Sequence, residues 1–552
     1  MSVILGCVCH TSANNSADLV SAMLGRIADK EHVTETLSVG PVTLAAVHRK
    51  NSADSGVMGV LQSADGNFTM TYRGAVANHN ELRSINSGYP YRTAHEAESV
   101  LATYSTAGIG SILRHNGPAT FAVYNNHAGV VQLIRDRYGQ MSLFYTACKD
   151  FFAFSTDIAA LLSLVRPQFN PDALSYQAFE FTVGEETVFR NIFSVNPGEY
   201  IEISPDLQYE KKQYWTVWDN FVEAPSNAGD AIEQMEWLLE DAMRLRVRGV
   251  NATVLASGGI DSSLSAALLK PSVIHHVHYD FTDFNELEYA RCLADHIGAE
   301  LRLIAPTKEE YLRDKDAILR VVGMPTTWTS FTLWAAIIGM KADGFTVFFT
   351  GDGADELLAG YHRYHLLIHD EQIKELEAMQ GYSYLIKRYY GSRVERYARL
   401  INRCEDERDE RVRAYLETTL TRFSEHCRND IVTFMTLTDF YTTSQALFFL
   451  TDRLCAHFSV NSFSPFMDYR MVQFAFSLDS KLKIHEGTTK WILKKIAARR
   501  LPAKIVERKD KRGFSAPINH WFGWDKPGQY NRTRYKQHVF ADWLRVFAVE
   551  QK

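Results

Sequence analysis

The sequence predicts an α/β protein of two domains, a β-rich first domain followed by a doubly wound domain built on a parallel sheet. A chain of 552 residues is too long for a single core. Residues 1–215 carry short apolar runs such as VTLAAVHR and ATFAVYNN, broken by Gly, Asn and Asp, which is typical of β-strands separated by turns. Residues 216–552 begin with a polar segment and then alternate apolar strand patterns with helical ones, which is typical of a parallel sheet.

Composition excludes several classes of protein. With 46% hydrophobic and 22% charged residues, the chain is typical of a globular protein. The formal net charge of −6 provides no broad basic surface, so nucleic acid is not expected as a principal partner. No apolar run approaches the roughly 18 residues of a membrane span, and no basic segment marks a secretory signal. Seven scattered cysteines suit reduced thiols, so we expect a cytoplasmic protein without a membrane partner. The oligomeric state stays open.

The periodicity of the second domain indicates where its ligand binds. Apolar residues recur at three- and four-residue spacing between Ile232 and Leu245, which predicts an amphipathic helix. The runs ATVLA, VIHHVHYDF, AELRLIA and FTVFFT then predict strands, and the chain after about residue 360 is mostly helical. Because ligands of doubly wound sheets bind at the carboxyl ends of the strands, we expect the site where these strands end.

The most informative segment is VLASGGIDSSLSAALL at residues 254–269. A buried strand leads through Ser257, Gly258 and Gly259 into a helix. Glycines let backbone amides turn inward and the helix N-terminus adds partial positive charge, so the turn predicts a nest for pyrophosphate. Asp261 is placed to hold Mg²⁺ against those phosphates. The segment lacks the GK[ST] and G-x-G-x-x-G patterns of other phosphate loops, and the alternative is an ordinary glycine turn.

Two further segments carry charge suited to phosphate chemistry. TGDGADE, residues 350–356, places Asp352, Asp355 and Glu356 at a second strand end, which suits a metal ligand and a group that handles the proton of a nucleophile. LPAKIVERKDKRGFSAPI contains Lys504, Arg508, Lys509, Lys511 and Arg512 and is typical of a loop that closes over an anion. The alternatives are a solvated acidic turn and a solvated basic face.

Several ordered motifs over nearly the whole chain resemble the asparagine synthetase family, two-domain enzymes with a glutaminase half and an ATP-pyrophosphatase half. RGAVANHNELR and RDRYGQMSLFY carry the resemblance in the first half. LASGGIDSS, FFTGDGADELLAGY, SPFMDYRMVQFAFSL, TKWILKKIA and RKDKRGFSAPI carry it in the second. The resemblance implies an Ntn-hydrolase-like αββα sandwich for residues 1–215. It implies an ATP-pyrophosphatase domain with a helical C-terminal part for residues 216–552.

The resemblance also implies an activity and the residues that perform it. The enzymes adenylate a carboxylate with ATP and Mg²⁺, and an amine then displaces AMP. Pyrophosphate and magnesium would be held by Ser257, Gly258, Gly259, Asp261 and Ser262. The nucleotide would be bordered by Leu255, Thr350 and Gly351, with Asp355 as the second metal ligand. Asp352 stands at the position of the family's catalytic glutamate, and Lys490 and Lys511 match the lysines that face the reacting phosphate.

The first half departs from the family where the glutaminase reaction takes place. The family's nucleophile is a cysteine after the initiator methionine, and here that position is Ser2. Arg73 and Ala75 replace an asparagine and a glutamate of the glutamine pocket, and the family's acid there is Glu96. An arginine would fill that pocket and repel the substrate's ammonium group. We therefore expect an inactive glutaminase domain, while residual activity of Ser2 stays open.

A second departure concerns the substrate. DRLCAHFSVNSFSPFMD, residues 452–468, has Asn461 and Phe463 where the family has a glutamate and an arginine, which indicates a less polar substrate or drift in a supporting layer. The β-lactam and carbapenam synthetases and the lasso-peptide cyclases also lack the N-terminal cysteine and use an amine of the same molecule. The β-lactam branch has a tyrosine where this chain has Asp352. We therefore predict a macrolactam-forming peptide cyclase, with a precursor peptide and a protease as partners. The alternatives are an ammonia-dependent synthetase of asparagine or another small amide, and a non-catalytic nucleotide-binding scaffold.

Overall fold

The computed structural model describes residues 3–10, 15–50, 57–247, 250–326, 328–369, 391–404, 406, 409–509, 511, 513–524 and 532–549. The strands of the first half are β1 (Val3–Cys9), β2 (His32–Val39), β3 (Val42–Arg49), β4 (Val57–Gln62), β5 (Phe68–Gly74), β6 (Ala119–Asn125), β7 (Val130–Ile134), β8 (Phe144–Ala147), β9 (Phe151–Ser155), β10 (Phe193–Ser194), β11 (Glu199–Ile203) and β12 (Tyr209–Gln213). Its helices are α1 (Ser16–Ile27), α2 (His79–Ile85), α3 (Glu96–Ala107), α4 (Ile158–Leu161) and α5 (Leu174–Phe179), with a 3₁₀ helix at Gly108–Arg114.

The second half contains strands β13 (Ala252–Leu255), β14 (Val273–Val277), β15 (Glu300–Ile304), β16 (Val347–Phe349), β17 (Asn461–Phe463), β18 (Ile484–His485) and β19 (Thr488–Thr489). Its helices are α6 (Ala228–Arg246), α7 (Ile260–Leu269), α8 (Leu287–Ile297), α9 (Lys308–Val322), α10 (Thr329–Ala342), α11 (Ala354–Leu357), α12 (Arg393–Ile401), α13 (Glu410–His426), α14 (Ile431–Tyr441), α15 (Thr443–Phe458), α16 (Tyr469–Ser477), α17 (Ser480–Lys483), α18 (Trp491–Ala497), α19 (Ala503–Val506), α20 (Ile518–Phe522) and α21 (Arg532–Phe547). Short 3₁₀ helices cover Trp218–Asn220 and Pro465–Met467. Within the described residues no helix is both long and apolar enough to cross a membrane.

The first half is a four-layer sandwich. Two six-stranded sheets, in the orders β10-β8-β9-β1-β3-β2 and β12-β11-β7-β6-β5-β4, stack face to face. Alternate residues of a strand point to opposite faces, so Val8 of β1 packs between the sheets while Leu5 and Cys7 face helix α1. Helix α3 covers the outer face of the second sheet through Val100 and Leu101. The predicted αββα arrangement is confirmed.

The second half is built on a five-stranded sheet in the order β15-β14-β13-β16-β17, with every neighbouring pair parallel. The chain leaves β13 towards β14 and β15 on one side and returns to β16 and β17 on the other. The order therefore reverses between β13 and β16, and a crevice opens there at the carboxyl edge. The predicted doubly wound parallel sheet and helical C-terminal part are confirmed.

Buried charges join the two halves. Arg246 of α6 donates hydrogen bonds to Asp468 (3.1 Å) and to the Asn116 side chain of the first half (2.9 Å). Asn116 in turn donates to Asp468 at 2.8 Å. Burial opposes ionisation of Asp468, but Arg246 and Arg470 lower its pKa to about 2. A second buried ion pair joins Arg453 of α15 to Asp157 at 2.6 Å. The two halves therefore meet through specific ion pairs as well as through apolar packing.

Helix α21 is attached to the first half through Trp543, which is fully buried against Phe169 and Phe189. We predict that Trp543→Ala lowers the free energy of unfolding by about 3–5 kcal/mol, because a large cavity replaces the indole. Trp237→Ala, at a side chain that is 57% exposed, should change it by about 0.5 kcal/mol or less. Urea unfolding of both variants would test this, and equal losses would contradict the assigned anchor.

Candidate active site

The first strand end forms a tight polar turn. Between β13 and α7 the chain passes through Ser257, Gly258 and Gly259, and Gly258 has a φ of +71°. A Cβ atom on Gly258 would lie 2.5 Å from Tyr289 Cβ, so space as well as conformation requires glycine. The Ser257 amide donates to Ser262 Oγ at 3.2 Å and the Gly259 amide donates to Ser257 Oγ at 3.2 Å. Amide and hydroxyl groups therefore converge at the start of α7, as an anion nest requires.

The second strand end lies directly against the first. After β16 the chain continues through Thr350 and Gly351, and a Cβ on Gly351 would lie 2.4 Å from Asp261 Cβ and 2.8 Å from the Ser262 amide nitrogen. Only a residue without a side chain allows this approach. The contact brings the two predicted motifs together at the crevice between β13 and β16.

Two lysines and two aspartates form a closed ring of ion pairs, the four-charge cluster of Asp261, Asp355, Lys490 and Lys511. Lys490 Nζ lies 2.6 Å from Asp261 Oδ1 and 2.7 Å from Asp355 Oδ1. Lys511 Nζ lies 3.1 Å from Asp261 Oδ2 and 3.4 Å from Asp355 Oδ2. Burial opposes ionisation of Asp355, but Lys490 and Lys511 lower its pKa below the usual range. The charge of Asp355 in turn raises the pKa of Lys511.

The backbone around the cluster is shaped to its side chains. Lys490 is buried and precedes α18 with a φ of +52°, a conformation that L-residues rarely adopt. A Cβ on Gly360 would lie 1.9 Å from Asp355 Oδ1 and 2.2 Å from Lys490 Cε. The close approach of Gly360 therefore leaves room for the ammonium group between the two carboxylates.

The donor set suits magnesium. Mg²⁺ prefers carboxylate and phosphate oxygens and usually takes one or two carboxylates together with substrate phosphates. Asp261 and Asp355 provide two such groups on neighbouring strand ends, each within 2.7 Å of the same Nζ atom. The arrangement therefore fits a magnesium ion carried by a nucleotide, with the lysines beside it to face the phosphates.

A cavity of about 440 Å³ opens over the cluster. Predicted residues that line it are Leu255, Ser257, Asp261, Ser262, Thr350, Gly351, Asp352, Asp355 and Lys511. Gly258 and Gly259 form the adjoining turn, and Lys490 lies within the cluster without lining the cavity. Thr329, Leu333, Tyr361 and Leu447 also line it, and no short motif indicated them, although Tyr361 falls in the quoted segment GDGADELLAGY.

Asp352 lies on the cavity wall towards the first half of the chain. Its amide faces Thr350 Oγ1 at 3.4 Å, and its carbonyl oxygen accepts a hydrogen bond from Ser464 Oγ at 2.7 Å. Burial raises the pKa of the Asp352 carboxyl, and the nearby carboxylates of Asp261 and Asp355 add to the effect. Such a carboxyl takes up a proton more readily than an exposed aspartate.

Arg73 forms a buried ion pair with the second half of the chain. Its guanidinium pairs with Asp452 of α15, and the second carboxylate oxygen of Asp452 accepts the Ser142 amide at 2.9 Å. This pair borders a cavity of only about 70 Å³ that Ala75, Asp352, Asn461 and Phe463 also line. Arg73 therefore contributes a buried ion pair to the contact between the halves. Its guanidinium is paired with Asp452 and is not an unpaired charge that would face a substrate. Ser2 and Arg512 lie outside the described residues.

Glu96 is also fully engaged. Its carboxylate accepts the Tyr72 hydroxyl at 2.8 Å and the Val76 amide at 3.1 Å, in the core of the first half. Burial raises the pKa of Glu96 from 4.5 to about 7. The position is therefore part of a buried hydrogen-bond network in this chain.

A parallel-sheet domain with a charged crevice follows an αββα sandwich, and family models together with relatives identify the chain as an ATP-dependent carbon–nitrogen ligase. The family model "Asparagine synthase" matches residues 234–547, and the model "Glutamine amidotransferase domain" matches residues 1–215. The chain belongs to the asparagine synthase family.

Individual relatives are distant. "Asparagine synthetase [glutamine-hydrolyzing] 1" of Bacillus subtilis is 26% identical over 497 residues, with 84% of this chain and 78% of the relative covered. "Amidase chry2" of Gibberella zeae is 27% identical over 299 residues, covering 48% of this chain and 43% of the relative. "Amidase chyE" of Penicillium rubens is 22% identical, covering 68% and 61%.

We predict that Gly351→Ala lowers the affinity for ATP at least about tenfold, because the added methyl group must displace Asp261 and the Ser262 amide. Gly25→Ala is the matched control, since a Cβ there meets open space on helix α1. Equilibrium titration with an ATP analogue would measure both affinities. Wild-type affinity in Gly351→Ala would contradict the assigned contact between the strand ends.

Glu96 predicts a pH dependence of stability. The folded protein holds the Glu96 proton more tightly than the unfolded chain, so the stabilisation is fully present below pH 4.5 and is lost as the pH rises towards 7. The contribution is on the order of 3 kcal/mol over that window. Glu96→Gln should therefore flatten the decline in unfolding free energy between pH 5 and pH 8. Parallel slopes for the two proteins would show that Glu96 is not the group that titrates.

Proposed function

We propose that this protein uses ATP and Mg²⁺ to adenylate a carboxylate and then joins the acyl group to an amine, releasing AMP and pyrophosphate. The observation that carries the proposal is the four-charge cluster, which contributes Asp261, Asp355 and Lys511 to the lining of the same cavity as Asp352. Cations, metal-binding carboxylates and a proton acceptor are the groups that adenylation and amide formation require together.

The chemistry follows from the position of each group. A substrate carboxylate oxygen forms a bond to the α-phosphorus as the bond to pyrophosphate breaks, and the turn at Ser257–Ser262 binds the departing pyrophosphate. Lys490 and Lys511 offset the charge that develops on the α-phosphate. Asp261 and Asp355 would hold Mg²⁺, whose charge screens the phosphate oxygens when it is bound. An amine then attacks the acyl carbon, AMP leaves, and the Asp352 carboxylate accepts the ammonium proton.

The contacts in the first half favour a source of the amine other than glutamine. Arg73 is occupied by Asp452 and Glu96 by Tyr72 and Val76, and Ala75 offers no polar atom on its side chain. We propose that this domain is an inactive glutaminase that acts as a scaffold. The nucleophile would then belong to the same molecule as the carboxylate, as in a macrolactam-forming peptide cyclase of the lasso type. A precursor peptide as substrate and a protease as partner belong to this proposal.

Two alternatives have specific support. The Bacillus subtilis relative is named an asparagine synthetase, which favours an ammonia-dependent synthetase of asparagine or another small amide. The low sequence identity to all the named relatives favours a third candidate, a scaffold that binds nucleotide without turnover. Against the scaffold, Asp352 and all four charged groups of the cluster are present, and the four groups form one connected set of ion pairs.

The proposal is tested by AMP and pyrophosphate release from ATP and Mg²⁺ by the whole chain. Aspartate is supplied with ammonium or with glutamine, and peptides that carry their own amine are supplied in parallel. Release with peptides alone supports the cyclase, whereas asparagine formed with ammonium alone supports the small-amide synthetase. Asparagine formed from glutamine would show that the N-terminal glutaminase is active. Nucleotide binding without AMP from any substrate would support the scaffold and contradict the ligase.

Lys490→Met should lower the rate of AMP release at least about a hundredfold with whichever substrate supports it, because no cation replaces the charge beside the α-phosphate. Lys495→Met is the matched control on α18, the helix that Lys490 precedes, where the Lys495 side chain is exposed and lies over the Trp491 ring. The control should keep the wild-type rate. Equal rates in all three proteins would remove Lys490 from the mechanism.

A further inference from the structure

A second cavity of about 260 Å³ lies next to the cavity of about 440 Å³ over the four-charge cluster, which is called the nucleotide cavity from here on. Thr329, Tyr361, Leu447 and Leu450 line both cavities, so the two spaces are directly adjacent. The Tyr361 hydroxyl donates to Glu356 Oε1 at 2.6 Å, which holds the ring at the boundary between the two spaces. Nothing in the adenylation step uses this second cavity.

Three parts of the chain that are distant in sequence build its walls. Phe179 and Phe181 come from the end of α5 in the first half, and Trp328 precedes α10 in the second. Tyr535 comes from α21, and its ring centroid lies 5.0 Å from that of Trp328. Most of the exposed lining is apolar and aromatic, so the cavity suits a hydrocarbon or aromatic side chain. The scaffold domain therefore supplies part of a binding surface.

Charges in the cavity are predominantly positive. Arg363, Arg403, Arg532 and Lys536 line it, together with the single carboxylate of Glu180. Arg532 and Lys536 both pair with Glu180, and Arg363 pairs with the buried Asp439 at 2.7 Å.

Arg403 differs from these three cations, because among the described residues its guanidinium forms no ion pair, although the carboxylates of Glu180 and Asp439 attract it from a greater distance. Desolvation, with the neighbouring charges of Arg532 and Arg363, lowers the pKa of this guanidinium. Arg403 is exposed to solvent and lines the cavity, so its guanidinium is accessible to a carboxylate of a bound ligand.

We propose that this second cavity binds the body of the acyl substrate, a peptide with an aromatic or aliphatic side chain and a second carboxylate that pairs with Arg403. This inference rests on the proposed ligase function and specifies its substrate class. The reacting carboxylate lies across Tyr361, beside Lys511 and Asp352 in the nucleotide cavity. The remainder of the peptide occupies the space between α5, α10 and α21, where the apolar wall and the guanidinium each recognise one part of it.

The test is calorimetric titration of the whole chain, without ATP, with N-acetyl-phenylalanyl-aspartate. N-acetyl-phenylalaninamide, which lacks the carboxylates, and succinate, which lacks the aromatic ring, are titrated in parallel. We expect the dipeptide to bind at least about tenfold more tightly than either fragment. Arg403→Gln should weaken dipeptide binding about tenfold and leave N-acetyl-phenylalaninamide unaffected, since one charge-assisted hydrogen bond is lost.

Arg403→Lys should recover part of the affinity, because it keeps the charge but not the paired geometry. Arg413→Gln, at an exposed arginine of α13 outside the cavity, is the matched control and should bind the dipeptide like the wild type. Absence of dipeptide binding, equal affinity for succinate, or equal loss in Arg413→Gln would each overturn the inference. The titration contains no nucleotide, so failure of AMP release would leave its result intact, and failure here would leave adenylation of another carboxylate intact.

Discussion

The four-charge cluster brings two ammonium groups and two carboxylates together beside the ends of β13 and β16. Asp261 and Lys490 are buried, Asp355 is partly buried, and Lys511 is partly exposed to solvent. Each charge is satisfied by two of the others, and removal of one member of a buried pair typically costs about 3–5 kcal/mol. The glycines at 351 and 360 are required by this cluster, because a side chain at either would enter it. The shape of the crevice, the position of Asp352 and the fit to phosphate all follow from the balance of these four groups.

The parts of the site that local sequence could predict are those whose geometry is local. SGGIDSS is a strand end, a turn and a helix start within a few residues, so its nest is evident from residue types. The pairing of Lys490 with Asp261 spans 229 residues, and only the resemblance to a family placed the lysine there. The second cavity could not be predicted, since α5, α10 and α21 meet through packing and no periodicity encodes that meeting.

The first half shows how substitution changes the use of a surface without changing its fold. A β-rich first half was predictable from its short apolar runs, and the sandwich was predictable only from the resemblance to the family. The partner of Arg73 was not, because Asp452 lies 379 residues further along the chain. In this chain a position that the resemblance places in the glutamine pocket contributes to the contact between the halves.

Asp452 and Arg453 are neighbours on α15, and each reaches into the first half to meet a charge of the opposite sign, Arg73 and Asp157 respectively. Each half therefore supplies one acid and one base to the interface. A hinge movement between the halves would expose both pairs at once. If the C-terminal half were produced alone, Asp452 and Arg453 would both lose their ion-pair partners in the first half. We therefore expect the two halves to be stable only as one chain.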